Sequence, residues 1–508
     1  MSGYQDLKVT IVGAGMGGLA AALAFAKKGF RQVHVYEDAP AFGFVGAGIQ
    51  MAPNMIRILD RLGVWTDSAI RDQGTQVNEL CVYEGATEKL LIQVPMTNMG
   101  ERYGYSHFVG HRASLADGIY NGARAEPSVK FHFGESLQHV QSYGPEQVKF
   151  VIRRQDGKTY TVETDILIGA DGIKSTVRES MLGSLDLSAE VEETGTAAYR
   201  ILLNRQQLEP YPELLEMVDS NTVRRWIGEN RHMIAYPIHN HTIFNVATAQ
   251  PDVNFAGPTN ATWTNLGDKT AMKKVFADFG PKVQQLLDLV PEGDVVEWRL
   301  RSHKPLDTWT RGAVALLGDA CHPTLPHLSQ GAAMAIEDAA TLAEVLSLLP
   351  GGGRDREAIA RALKVYELLR KPRTSTLVDL AAQSARALHL GAGQAKEERD
   401  RQFAVAKTAG APIPDKWASP EVQDMIYQHD CIEDTHQRFQ ELYRVVSGDL
   451  VAKLSAPTGR RLFSVLLAEK HHSKYDPSSW GIMSLLGVKD KGALEEKSSW
   501  IASRRSGS

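Results

Sequence analysis

At 508 residues the chain is too long for one ordinary hydrophobic core, so two or three domains are expected. With 43% hydrophobic and 23% charged residues it has the composition of a soluble globular protein. Its 56 basic and 60 acidic residues leave a net charge of −4 with no basic stripe, which argues against a nucleic-acid partner.

A strand is predicted over Leu7–Val12, with no room before it for a signal or transit peptide. Gly17–Gly29 reads as a helix and Val33–Tyr36 as a second strand, a βαβ opening. The longest apolar stretch, Leu19–Ala26, stops at Lys27-Lys28, far short of a bilayer span, so no stable membrane insertion is expected. Pro53–Leu62 has helical spacing through Met55, Ile58, Leu59 and Leu62. Glu79 to Gln93 alternates as a hairpin does. His111–Ala125 is helical, and Val129–Phe133, Val148–Arg153 and Thr159–Val162 read as strands leading into Asp165–Ala170.

From 181 to 300 the pattern changes. Strands at Gly195–Leu202, Arg231–Tyr236, Ile243–Gln250 and Val295–Leu300 alternate with one long helix near Lys269–Leu289. Val314–Leu317 returns to the buried strand type, and a helix runs from Gly331 to Leu348. Asp355–Leu390 reads as a long helix broken at Lys371-Pro372, because a proline ring removes a donor and clashes with the preceding turn. Gly391–Gly393 follows no strand and marks a helix end. Ala409–Pro420 reads as a linker, and the tail carries helical pieces and a His-Lys-rich loop at Lys470–Lys474.

Three short segments carry the chemistry. In VTIVGAGMGG, Gly13, Gly15 and Gly18 form GxGxxG between a strand and a helix. The first glycine permits the turn, the second admits a pyrophosphate to the backbone, and the third lets helix and strand pack. Glu37 ends the next strand, about 20 residues on, where an acid binds ribose hydroxyls and repels a 2′-phosphate. FAD or NAD is therefore expected there, not NADP. DILIGADG at 165–172 and VALLGDACHP at 314–323 are two further apolar runs ending in Asp171-Gly172 and Gly318-Asp319.

In this order the three segments resemble the single-component FAD-dependent aromatic hydroxylases, most closely the fungal salicylate hydroxylase-like group that includes 4-hydroxybenzoate 1-hydroxylases. The resemblance covers about residues 7–435, and HDCIEDT at 429–435 also resembles the end of these enzymes. It implies an α/β fold: a Rossmann-type FAD-binding domain in two parts, 7–180 (with a substrate-side hairpin near 79–110) and 301–390. An α+β substrate domain, 181–300, is inserted between them as in para-hydroxybenzoate hydroxylase, and 391–508 is a helical extension. It assigns Asp171 and Gly172 to the pyrophosphate and nicotinamide side, and Asp319 to the ribityl chain. Pro323 lies against the flavin ring, and Gly331 and Ala332 start a helix aimed at the pyrimidine edge. Arg112 contacts FAD, and Gly46-Ala47-Gly48 forms the loop beside a mobile flavin.

The activity implied is hydroxylation of a small phenolic substrate. NAD(P)H reduces FAD, O2 adds to give a flavin hydroperoxide, and its distal oxygen passes to an electron-rich ring, with no metal. Matching positions assign Arg200 to a carboxylate or phenolate and Tyr236 to a hydrogen bond with the substrate. A structural ion pair is the alternative for Arg200, and core packing for Tyr236. His232, on the face of Tyr236, and His327, in the flavin loop, are further candidates, although each taken singly is expected at the surface. A hydroxybenzoate with decarboxylating hydroxylation is the favoured chemistry, and a biosynthetic monooxygenase acting on a larger phenol is the rival. GxGxxG and Glu37 alone would also fit an NAD-dependent dehydrogenase, and a flavoprotein-fold binding module is the non-enzymatic alternative. No histidine pair has metal-ligand spacing, and His471-His472 reads as a solvated loop. Cys81, Cys321 and Cys431, few and odd in number, fit a reducing cytoplasmic setting. A monomer or homodimer is expected.

Overall fold

The computed structural model describes residues 3–448, apart from 45, 67, 145, 255–263, 354 and 410. The predicted tail features, including His471-His472, lie outside the described residues.

Lys8–Val12 pairs in parallel with Gln32–Glu37 on one side and Ile166–Gly169 on the other. Val129–Phe133 and Val314–Leu316 extend the sheet, and Thr310–Arg311 closes one edge antiparallel. The three strands that end in glycine motifs are thus neighbours, with Lys8–Val12 and Val314–Leu316 flanking Ile166–Gly169. Val9, Ile11, Ile166, Ile168, Val314 and Leu316 are fully buried, as a parallel strand covered on both faces requires. The helix Met16–Lys27 is Ala-rich and buried along Met16–Phe25, which lets it lie close against the sheet and the helix Gly331–Ser347.

The second large sheet has eight strands. Val191–Asn204 runs between Ile243–Pro251 and Val296–His303, all antiparallel. The series continues through Arg231–Ile238 and Thr222–Gly228. The predicted hairpin is Glu79–Glu84 with Leu90–Pro95, and it joins this sheet through a parallel pairing with Thr222–Gly228. A three-stranded sheet of Gly48–Met51, Phe108–His111 and Thr75–Gln76 packs against Arg231–Ile238 and Ile243–Pro251. It therefore bridges the nucleotide side and the eight-stranded sheet.

Three expectations need correction. The single helix near 269–289 is two, Lys269–Val275 and Pro281–Asp288, because Gly280 and Pro281 start a new helix with proline at its first position. The helix expected to break at Pro372 runs unbroken over Arg356–Leu388. Buried Arg370 and Arg373, on either side of the proline, both bind Glu337, and this anchoring outweighs the missing donor. The 409–420 segment is no free linker. Ile413, Asp415, Trp417 and Ala418 are buried, and Asp415 pairs with Arg225 at 2.7 Å. Beyond it, Asp430 caps the helix Cys431–Val446, which packs on Gly331–Ser347 and Arg356–Leu388.

Candidate active site

The three glycines of the first motif have three different surroundings. Gly13 has φ +101°, and a Cβ there would lie 2.5 Å from the Ala170 carbonyl oxygen. A Cβ at Gly18 would run into the Gly13 carbonyl, so this glycine sets the helix–strand approach. Gly15 has open space where its Cβ would be, at the N-terminus of the helix Met16–Lys27. That is room for a phosphate at the positive end of a helix. Glu37 accepts hydrogen bonds from the backbone of Ala14 at 2.7 Å and Ala39 at 2.9 Å, which holds it across the mouth of the glycine turn. These features fit the dinucleotide part of FAD.

Asp171 accepts from Ser175 Oγ at 2.5 Å and from the Val177 amide at 3.1 Å, so its carboxylate anchors the helix Thr176–Gly183, and Gly172 follows at φ +70°. Burial raises the Asp171 carboxyl. Gly318, at φ +61°, donates its amide to Asp338 at 3.1 Å. Asp319 is exposed, yet protein packs closely around it. That enclosure raises its carboxyl, against the pull of His322 and Arg112. Pro323 is buried, and Gly331 and Ala332 begin the helix Gly331–Ser347 at a partly open face.

A buried network lies beneath this loop, and no sequence motif announced it. Asp338 accepts from Gly318 N, His322 Nε2 at 2.5 Å and Arg370 Nε at 2.7 Å. Glu337 binds Arg370, Arg373 and Asn54 Nδ2, and Asn54 also donates to Gln330, the cap of the helix at 331. Burial by itself would raise Glu337. The Arg373 and Arg370 charges overcome it and hold the carboxyl well below the ordinary range.

The substrate side is one face of the eight-stranded sheet. Leu202, Asn245 and Tyr236 are in register across three strands, as are Arg200, Ala247 and Ile234 one same-face step away. Asn245 Oδ1 accepts the Gly48 amide at 2.7 Å, and a Cβ at Gly48 would collide with that side chain. The loop Gly46–Gly48 thus touches the same face. Asn245 Nδ2 is buried without a partner among the described residues. Arg200 has no hydrogen-bonding or ion-pair partner among the described residues, so the structural ion pair is not what holds it. Its guanidinium lies 4.7 Å from the Trp298 ring centroid. Burial and the facing Arg112 charge push it down to about 10, against Tyr236. It remains a cation at neutral pH, short of an anion. Arg112, at the start of the helix Arg112–Ala125, faces Asp319 as well. Tyr236 is buried, its hydroxyl makes no hydrogen bond among the described residues, and burial raises its pKa.

His232 and His327 are not at the surface. Both are buried, and both pack against His389, which the sequence reading did not single out. His232 is about 13 Å from Tyr236 along the strand, so the histidines border the Arg200–Tyr236 face and do not sit in its centre.

Comparison with known proteins agrees with this geometry. The family model described as "FAD binding domain" matches residues 6–381. The chain is 31% identical over 386 residues to 3-hydroxybenzoate 6-hydroxylase of Polaromonas naphthalenivorans (strain CJ2), covering 76% of this chain and 88% of that one. It is 31% identical over 399 residues to the FAD-dependent monooxygenase ntnJ of Nectria sp, covering 78% and 88%. A salicylate hydroxylase substrate complex shares the fold, with TM-score 0.68 and 23% identity over 85% of this chain and 98% of that one. Among the described residues no helix is long and apolar enough to cross a membrane. The glycine turn that leaves room for a phosphate, the Asp-Gly and Gly-Asp strand ends beside it, and the match over 6–381 have one reading: the chain belongs to the FAD binding domain family, as an FAD-dependent monooxygenase of the aromatic hydroxylase type.

Proposed function

We propose that this chain hydroxylates a phenolic aromatic acid of the salicylate or 4-hydroxybenzoate type, with NAD(P)H as reductant and O2 as oxygen source. The carrying observation is Arg200, a half-buried cation with no anion of its own, on the sheet face that meets the flavin-side loop. A substrate carboxylate or phenolate would complete it with charge-assisted hydrogen bonds. Tyr236 and the free Asn245 amide offer further donors on that face. When bound, FAD supplies the redox and oxygen chemistry. The chain's own residues hold the ring, favour its ionised hydroxyl and keep water out. His232 and His327, held well below the ordinary histidine range by burial, are neutral and bring no positive charge to that face.

We favour decarboxylating hydroxylation. A hydroxybenzoate anion, O2, NAD(P)H and two protons give a dihydroxybenzene, CO2, NAD(P)+ and water, with the carboxylate leaving as CO2 from the carbon that gains the hydroxyl. The three cysteines are free and buried, which supports a cytoplasmic setting. NAD(P)H oxidation is measured with salicylate, 3-hydroxybenzoate, 4-hydroxybenzoate and protocatechuate, and the products are identified by chromatography. Stimulation with catechol or hydroquinone as product is expected. The fungal relative ntnJ favours a second reading, a biosynthetic monooxygenase for a larger phenol. Stimulation by none of the four acids would select it.

A further inference from the structure

Three histidines from three separate elements meet beside the flavin-side loop. His232 lies on the strand Arg231–Ile238, His327 in the turn Pro326–Leu328, and His389 caps the helix Arg356–Leu388. One ring nitrogen from each lies within 4.8 Å of the other two. His232 Nδ1 and His389 Nε2 are 2.7 Å apart. The His327 ring centroid is 5.3 Å from that of His232 and 5.5 Å from that of His389. His327 is only 1% exposed, and its Nδ1 has no hydrogen-bond partner among the described residues. A buried nitrogen left unpaired calls for an explanation.

Arg225 Nη2 donates to the His327 carbonyl at 3.4 Å. Neutral imidazole is the form that ligates a metal. Arg225 is the cation beside the cluster, and its charge is met by buried Asp415 at 2.7 Å, so the pair adds no net charge. Asp415 is held in turn by Ser384 Oγ at 3.0 Å and the Trp417 amide at 3.1 Å. The other close group, Cys321, His322 and Asp338, is different, because Asp338 is held by Arg370 and Gly318 as well as by His322, whereas the His232–His389 hydrogen bond joins two ligands that a metal between them would replace.

We propose that His232, His327 and His389 form a site for a late first-row divalent cation, Zn2+ being the best match, which ties the turn Pro326–Leu328 to the sheet and to the end of the long helix. Imidazole ligands suit Zn2+, Cu2+ and Ni2+, whereas Mg2+ and Ca2+ demand oxygen. Zn–N bonds of about 2.0–2.1 Å put neighbouring nitrogens about 3.3 Å apart in a tetrahedral site, so ring shifts of about an ångström suffice. His389 is partly exposed, so a water could reach the fourth position.

The test is titration of the chelator-washed, FAD-loaded protein with ZnCl2 by calorimetry, with a thermal melt alongside. Binding needs no turnover, so the result stands apart from the substrate assigned above. One Zn2+ per chain at this site is expected, with a rise in Tm and no response to MgCl2. His389→Ala should weaken binding at least tenfold and cancel the rise, and His389→Gln, which keeps a polar group beside His232, should do the same if the alanine variant folds poorly. His132→Ala, which breaks the separate His34–His132 contact of 3.0 Å, should leave it intact. No saturable Zn2+ binding, or equal affinity in the His389 variants, would overturn the proposal.

Discussion

Two groups of enclosed arginines are treated in opposite ways. Arg370 and Arg373 are matched by carboxylates: Asp338, Glu337 and backbone carbonyls take every guanidinium nitrogen except Arg370 Nη1, which is buried without a partner among the described residues. The Glu337 and Asp338 charges more than offset the burial cost and raise Arg370. Arg200 and Arg112 face each other with no carboxylate in hydrogen-bond reach among the described residues, and burial lowers both. The carboxylate-matched pair holds the fold together. The unsatisfied pair is held by the fold for something else, and an anionic ligand is what would satisfy it.

The comparison predicts opposite costs. Arg370→Met leaves Asp338 and Glu337 short of a buried partner, for which about 3–5 kcal/mol of destabilisation is expected, read by thermal denaturation and loss of FAD. Both carboxyls are held below their ordinary range, so the stability they add is present above about pH 4 and is lost as pH falls through the lower folded values. The gap between wild type and variant should therefore narrow only in strong acid.

Arg200→Met should do the reverse. Removing an unpaired cation leaves Tm and FAD content unchanged, while the KM for the aromatic acid rises about 10–100-fold and NAD(P)H oxidation uncouples from hydroxylation, for a loss of about 1.5–3 kcal/mol. A fall in Tm with unchanged KM would put Arg200 with the structural pair. The glycines divide in the same way. Gly18→Ala should lower Tm, because its Cβ meets the Gly13 carbonyl, whereas Gly15→Ala should keep Tm in the FAD-free protein and weaken FAD binding about tenfold. Tyr236→Phe is the mildest case. Its hydroxyl is unspent in the fold, so stability should hold, and KM should rise about three- to tenfold for one lost hydrogen bond.

What the sequence made legible was local. The parallel strands, the turns that end them and the acid at Glu37 are patterns within a few residues, and the structure places them side by side. Strand periodicity also put His232 and Tyr236 on one face. What stayed hidden depends on partners far apart in the chain. Arg225 meets Asp415 across 190 positions, and His232 meets His389 across 157. Asp415 sat in a segment whose prolines suggested a linker, and His389 at a helix end that gave no reason to look. Pro372 misled for the same reason. The local cost of a proline in a helix was visible, but the Glu337 contacts that outweigh it were not.

The most direct test of the account is a flavin absorbance titration of wild type and Arg200→Met, each with salicylate and with its neutral amide. The account predicts that the variant loses affinity for the acid at least tenfold and keeps its affinity for the amide. Equal binding of the acid by both proteins would show that Arg200 holds no substrate anion, and would contradict it.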